Sequence, residues 1–279
     1  MSTVRLCHLY PGEMNIYADR GNIAVLRRRL EWRGLGLEVT QAGLGDPIPA
    51  DHDIYYLGGG QDRDQALVAE DLPRTKAAAL HAAAADGAVV LCVCGGYQLA
   101  GHGYTAVDGS RMPGIGLLDV DTVAGPTRLI GDLVIEADLG DATHRVVGFE
   151  NHAGRTQVGS GARPLGRVVH GHGNNDRDGG EGAVRDRVIG TYLHGPLLPK
   201  NPWLADTVLS WALEHATGRA PASTRTRSPV RGHGGAGAEA GRRPRSWRFL
   251  SSCGSPPQSR SARRPPPLGW LRLVPAHHS

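Results

Sequence analysis

Cys94 is the residue whose surroundings best suit chemistry. It sits in Val89-Val90-Leu91-Cys92-Val93-Cys94-Gly95-Gly96-Tyr97-Gln98-Leu99, where five apolar residues run into the cysteine, two glycines follow and a short helical pattern begins. That order reads as a buried strand, a tight turn and a helix start. A residue on such a turn is pushed out at the carboxyl end of its strand, near the positive end of the next helix. Both effects suit a nucleophile, because the helix N-terminus lowers a thiol pKa and favours the thiolate. Gly95 and Gly96 omit a Cβ that would crowd the turn or block a substrate approaching the backbone N–H groups. Cys7 and Cys92 read instead as small core residues. No second pair at metal-ligand spacing accompanies Cys92-x-Cys94, so no metal site is expected.

A thiolate nucleophile needs a base. Among the 13 histidines, His194 is the best placed: it ends the apolar run Val188–Leu193 and precedes Gly195-Pro196, which sets it at a strand end on the same sheet edge as Cys94. His152, in the polar stretch after Phe149, is second, and His170 and His172 read as solvated loop residues. Cysteine, histidine and glycine-rich loops together describe acyl transfer through a thioester. The backbone N–H groups of Gly59, in Gly58-Gly59-Gly60-Gln61-Asp62, and of Gly95 are the candidate oxyanion hole. Arg128, in Pro126-Thr127-Arg128-Leu129, either clamps a carboxylate with a bidentate fork or lies in solvent.

The elements that must hold these residues alternate. Strands are expected at residues 3–9, Leu37–Thr40, Asp53–Leu57 and the run into Cys94. Asp19 is a plausible N-cap for a helix carrying Ile23, Leu26 and Leu30 and stopped by Gly34, and Pro73 is expected to open an alanine-rich helix that Gly87 ends. Strand and helix in alternation with short links predict an α/β fold: a mostly parallel sheet flanked by helices, with ligands off the carboxyl ends of the strands. From about Gly114 the pattern turns more antiparallel, with strands at Ile115–Val123, Arg128–Glu136, Arg145–Phe149 and Val184–Leu193. Asn201 and Pro202 then open a helix with a broad apolar face that ends near Gly218.

Beyond Arg219 the periodicity stops, and residues 219–279 are rich in Arg, Pro, Ser and Gly. The net charge of +4 is misleading, because twelve arginines and a single acid, Glu239, give that segment +11 and leave 1–218 at −7. A nucleic-acid role inferred from overall charge would rest on the tail, which reads as disordered or as an out-of-frame translation of a GC-rich gene. The domain boundary is therefore expected at 218. No apolar run long enough to span a bilayer and no signal peptide is present, so a cytoplasmic protein is expected.

Five stretches of the chain resemble the class I, triad-type glutamine amidotransferases, in the branch that includes cobyric acid synthase. They are Leu9-Tyr10-Pro11 with Met14-Asn15-Ile16-Tyr17-Ala18-Asp19-Arg20-Gly21-Asn22, the glycine run 58–62, Val93-Cys94-Gly95-Gly96-Tyr97-Gln98, residues 148–156 (GFENHAGRT) and residues 190–202 (GTYLHGPLLPKNP). The first and last are most similar to the glutaminase subunits of lipid II isoglutaminyl synthases. The resemblance implies that Cys94 attacks the carboxamide of L-glutamine and His194 moves the proton, with Arg128 at the position that holds the substrate. It implies a Mur-ligase-like synthetase partner that receives the ammonia and amidates the α-carboxyl of D-glutamate in the lipid II stem peptide. No Walker-type loop occurs in this chain, so it needs no cofactor of its own, and ATP and magnesium are expected on the partner. The wider superfamily places an acid two residues after the catalytic histidine, where this chain has Pro196. The partner is one source of that acid; Glu150 and Asp19 are alternatives within the chain. Two other readings stand beside this one: an amidotransferase serving another acceptor such as a cobalamin precursor, and a non-catalytic glutamine-sensing relative.

Overall fold

A computed structural model describes residues 3–15, 20–140 and 142–218. Its first sheet is built from β1 (Thr3–Leu9), β2 (Gly36–Ala42), β3 (Ile54–Leu57), β4 (Val89–Val93), β11 (Ala183–Arg185) and β12 (Val188–Thr191). The strand order is β11-β12-β4-β3-β1-β2, all pairs parallel except the edge pair β11–β12. The helices are α1 (Arg20–Glu31), α2 (Asp62–Thr75), α3 (Ala77–Ala85), α4 (Gly95–Ala100), α5 (Leu197–Lys200) and α6 (Pro202–Thr217).

Alternation along each strand divides the core in two. Val89, Leu91 and Val93 of β4 pack with Val4 and Leu6 of β1 against Ile23, Leu26 and Leu30 of α1 and Leu204, Val208 and Leu209 of α6. Val90 and Cys92 turn to the other face, where Val68, Ala69 and Leu72 of α2, Leu80 of α3 and Tyr97 of α4 cover them. Cys7 and Cys92 are both buried, as their apolar context predicts.

A second sheet grows from the far end. Its members are β5 (Gly103–Thr105), β6 (Arg111–Pro113), β7 (Val120–Asp138), β8 (Thr143–Val158), β9 (Gly166–His170) and β10 (Gly180–Glu181). The order is β10-β9-β7-β5-β6, with β8 antiparallel to β7. The expected strand Ile115–Val123 begins only at Val120, residues 115–119 being irregular, and it runs on with the expected Arg128–Glu136 as one long β7 that carries an irregularity between Ala124 and Leu129. The polar stretch 150–156 continues the expected strand Arg145–Phe149 within one β8. The expected strand 184–193 is a hairpin, β11 to β12, turned at Asp186 with φ 52°.

Pro73 does not open a helix. It lies inside α2, a helix whose buried face is Gln65, Val68, Ala69 and Leu72, and the alanine-rich α3 starts afterwards at Ala77. The spacing of those four residues is the helical signal, and the proline in the last turn obscured it. Asn201 does precede α6, but its side chain makes no cap hydrogen bond. It exchanges bonds with the backbone of Val147 instead, tying α6 to β8 at 2.8 Å in each direction. The helix closes at Gly218 with φ 59°. The expected cap Asp19 and the segment 219–279 lie outside the described residues.

Candidate active site

Cys94 stands on the turn between β4 and α4 with φ 52° and ψ −108°, a conformation that L-residues adopt only under constraint. The constraints are visible. The Cys94 N–H donates to the Thr191 carbonyl at 2.8 Å and its carbonyl accepts the Gln98 N–H at 3.0 Å. The Gly96 N–H donates to the Gly58 carbonyl at 3.1 Å, drawing the turn onto the glycine loop after β3. A Cβ on Gly96 would lie 2.5 Å from the Leu57 oxygen and 2.7 Å from that of Gly58, so only glycine lets the two turns meet.

His194 follows β12, the strand that pairs in parallel with β4, Thr191 opposite Val93. It forms a bridge with Phe149 of β8: its N–H donates to the Phe149 oxygen at 2.8 Å and its oxygen accepts the Phe149 N–H at 3.2 Å. The side chain is fully buried. Burial, then the neighbouring charges of His152 and Arg128, pushes the imidazole down to about 4, so it is neutral at pH 7 and able to accept a proton.

Arg128 sits in the irregular stretch of β7. Its Nε donates to Asn151 Oδ1 at 2.9 Å and its Nη2 to the Asn151 carbonyl at 3.0 Å. Arg155 supports that stretch, donating to the Thr127 carbonyl at 3.0 Å and to that of Ala153 at 2.8 Å. Arg128 is exposed, yet held in a fixed direction and near enough to depress His194. Gly59 and Gly95 belong to the two turns that the Gly96–Gly58 bond joins.

His152 packs beside Tyr192, close enough for its charge to act on His194. Its ring stacks on Tyr192 at 3.6 Å between centroids and 5° between planes, and its Nδ1 is bonded to the Gly154 carbonyl at 2.9 Å. Burial lowers its pKa. Glu150, fully buried, accepts the N–H groups of His172 at 2.7 Å and Gly173 at 3.0 Å, and lies 3.5 Å from His152 Nε2. Both of its oxygens are therefore engaged in anchoring the 171–173 turn.

Several residues at the site were not singled out from sequence. Tyr192 joins the parts: its hydroxyl bonds Thr156 Oγ1 at 2.7 Å and accepts from Gln98 of α4 at 3.2 Å. Gln65 of α2 donates to Gln98 Oε1 at 2.7 Å. Glu181, fully buried, accepts the Tyr192 N–H at 2.7 Å and the Thr191 hydroxyl at 3.1 Å. Tyr192 and Gln98 stand inside the quoted motifs. Glu181 is a single acid in a glycine-rich stretch, with no periodic signal to mark it.

The structure thus brings to neighbouring strands of one α/β sheet a cysteine on a constrained strand–helix turn, a buried histidine and a converging glycine loop. Residues 5–202 match the CobB/CobQ-like glutamine amidotransferase domain, and the chain belongs to that family. Among characterised proteins it is similar to the lipid II isoglutaminyl synthase (glutamine-hydrolyzing) subunit GatD of Staphylococcus aureus, 42% identical over 77% of this chain and 86% of the relative. Its likeness to the GatD subunit of Streptococcus pneumoniae is 40%, over 77% of this chain and 83% of that one. The cobyric acid synthase of Rhodobacter capsulatus is 34% identical over 57% of this chain but only 33% of its own length. The fold resembles the solved structure of PurLQS from Thermotoga maritima, with a TM-score of 0.50 and 16% identity over 76% of this chain and 96% of that one. No helix among the described residues is long and apolar enough to cross a membrane.

Proposed function

We propose that this chain is the glutaminase subunit of a cytoplasmic lipid II isoglutaminyl synthase. The observation that carries the chemistry is the pairing of the constrained Cys94 turn with the strand leading to the neutral, buried His194. His194 takes the proton from the thiol, and the thiolate Sγ attacks the carboxamide carbon of L-glutamine. The carbonyl π pair moves to oxygen, facing the N–H groups of Gly59 and Gly95. Collapse of this intermediate breaks the C–N bond, and the proton on His194 goes to the leaving nitrogen, which departs as ammonia. Water, deprotonated by His194, then opens the thioester to glutamate and restores the thiol. Arg128 offers its guanidinium to the substrate α-carboxylate.

The similarity to two GatD subunits over most of their length supports a lipid II acceptor and a partner subunit. In this reading the partner is a Mur-ligase-like synthetase that binds ATP and magnesium and amidates D-glutamate of the stem peptide. The outward face of β7 and β8 supports a partner on its own account. Ile130 is 53% exposed and Val147 37%, and Val134 and Phe149 are half-buried on the same face. These apolar residues share the face with Asp132, Glu136, Arg145 and Asn151, and the face runs toward the site, because Phe149 bridges to His194 and Asn151 holds Arg128.

With Glu150 engaged elsewhere and Pro196 in the usual acid position, we assign the carboxylate that orients His194 to the partner. The glutaminase domain is 1–218, bounded by the close of α6. The deciding assay is ammonia release from L-glutamine by the wild type and Cys94→Ala, with and without the synthetase subunit. Release that needs Cys94 and rises with the partner is expected. Release that ignores the partner overturns the shared acid, and no Cys94-dependent release overturns the glutaminase.

A further inference from the structure

Met14 lies where the two glycine turns meet, and the reaction above makes no use of it. β1 runs into Tyr10, a non-glycine residue with φ 50°. Its N–H donates to the Ala42 carbonyl at 2.7 Å, and its own carbonyl accepts the N–H groups of Glu13 at 3.2 Å and Met14 at 2.7 Å, closing residues 10–14 into a tight turn. A buried polar cluster fixes that turn from the side. The Tyr10 hydroxyl donates to Asp71 Oδ2 at 2.8 Å, and Lys76 Nζ donates to the same oxygen at 3.0 Å while lying 4.4 Å from the centre of the Tyr10 ring. The Thr75 hydroxyl and the Gly45 N–H also bond the Asp71 carboxylate, at 2.8 and 3.0 Å. Tyr10, Met14 and Lys76 are all buried.

The turn aims Met14 into the crease between the glycine loop and the Cys94 turn. A Cβ on Gly60 would lie 2.5 Å from Met14 Sδ, and one on Gly95 would lie 3.2 Å from Met14 Cε. Gly60 adjoins Gly59, and Gly95 adjoins Cys94. One side chain therefore borders both turns that carry the candidate oxyanion donors, beside Gln65, whose Oε1 would lie 2.8 Å from a Gly95 Cβ.

We propose that Met14 is a positioning residue that sets the spacing of the Gly59 and Gly95 donors, with the Tyr10–Asp71–Lys76 cluster as its anchor. The proposal rests on the glutaminase reading. Donors act on a developing oxyanion only when held to about 0.5 Å, and a glycine backbone has no side chain of its own to fix it. A thioether fills such an irregular gap, and leucine has nearly its volume.

The test compares wild type, Met14→Ala and Met14→Leu, each alone and with the synthetase subunit. Glutamate γ-semialdehyde adds to the thiol: an S–C bond forms, the carbonyl π bond opens, and the proton ends on the former carbonyl oxygen, which needs the hole. Alkylation of Cys94 by iodoacetamide displaces iodide and needs no hole. For Met14→Ala, kcat for glutamine is expected to fall about tenfold, less than the ~10²–10³ seen when a donor is removed outright. Semialdehyde affinity falls by a similar factor, KM and alkylation rate stay within about twofold of wild type, and Met14→Leu recovers most of the loss. Unchanged kcat in Met14→Ala, or alkylation that falls in parallel with kcat, overturns the positioning role while wild-type activity stands. A wild type that neither hydrolyses glutamine nor takes up the semialdehyde overturns the glutaminase reading itself.

Discussion

Cys94 holds a backbone conformation that costs about 1–3 kcal/mol for a residue with a Cβ. Its neighbours impose it, through the Thr191 and Gln98 hydrogen bonds and the contact of Gly96 with the glycine loop. Cys94→Gly removes the Cβ clash and Cys94→Ala keeps it, so both are expected to be inactive, with the glycine variant more stable by about 1 kcal/mol after its larger entropy loss is subtracted. Chemical denaturation of the two proteins checks the order, and an alanine variant of equal or greater stability would contradict the strain. The turn that carries Cys94 was legible in sequence because its signal is local: an apolar run, then two glycines. The strand that leads to His194 was legible as an apolar run. The assignment of Glu150 as an orienting acid was not separable by sequence from its actual place, because nothing local shows that the N–H groups of His172 and Gly173 come to meet it.

Among the elements, the parallel strands were readable and the long hairpin was not. The central strands of the first sheet, β3 (Ile-Tyr-Tyr-Leu) and β4 (Val-Val-Leu-Cys-Val), are short, continuous apolar runs buried along their whole length, the pattern of strands covered on both faces. β7 and β8 alternate instead, and Gly125-Pro126 within β7 resembles a strand break, since proline lacks the N–H that a ladder uses. The chain continues through it as an irregularity, which is where Arg128 is carried. That hairpin presents the outer face on which Val134, Val147 and Phe149 lie. Val147→Glu is expected to weaken the complex with the synthetase subunit at least tenfold, while thermal stability changes little because the side chain meets no core. Co-elution on size exclusion and the melting temperature measure the two effects. Undiminished co-elution would show that this face is not the contact.

Over the whole molecule, buried titratable groups pull stability in opposite directions with pH. Burial, with the Glu150 charge adding, pushes Glu181 up to about 8. The native state therefore keeps a proton there that the unfolded chain releases near its ordinary value, so this group's contribution is full below about 4.5 and is lost as pH rises toward 8. His8 and His194, both held down to about 4 by burial, act the other way and cost stability as pH falls below 6.5. Glu181→Gln preserves an acceptor for the Tyr192 N–H and removes the charge. Its melting temperature relative to wild type is expected to climb steadily from pH 5 to pH 8. A difference that does not vary with pH would mean that Glu181 is ionised in the native protein throughout.

The pairing of β4 with β12 also sets a schedule for biosynthesis. Val90 meets Val188 and Val93 meets Thr191, and the whole second sheet is threaded between these partners. At about 5–20 residues per second the ribosome leaves β4 without its neighbour for several seconds. During that interval the run Val-Val-Leu-Cys-Val is the open edge of the growing sheet, apolar on both faces and free to pair with another nascent chain. The Cys94 turn is unfinished over the same period, because the carbonyl that fixes it belongs to Thr191. The arrival of one four-residue strand closes that edge and completes the Cys94 turn together.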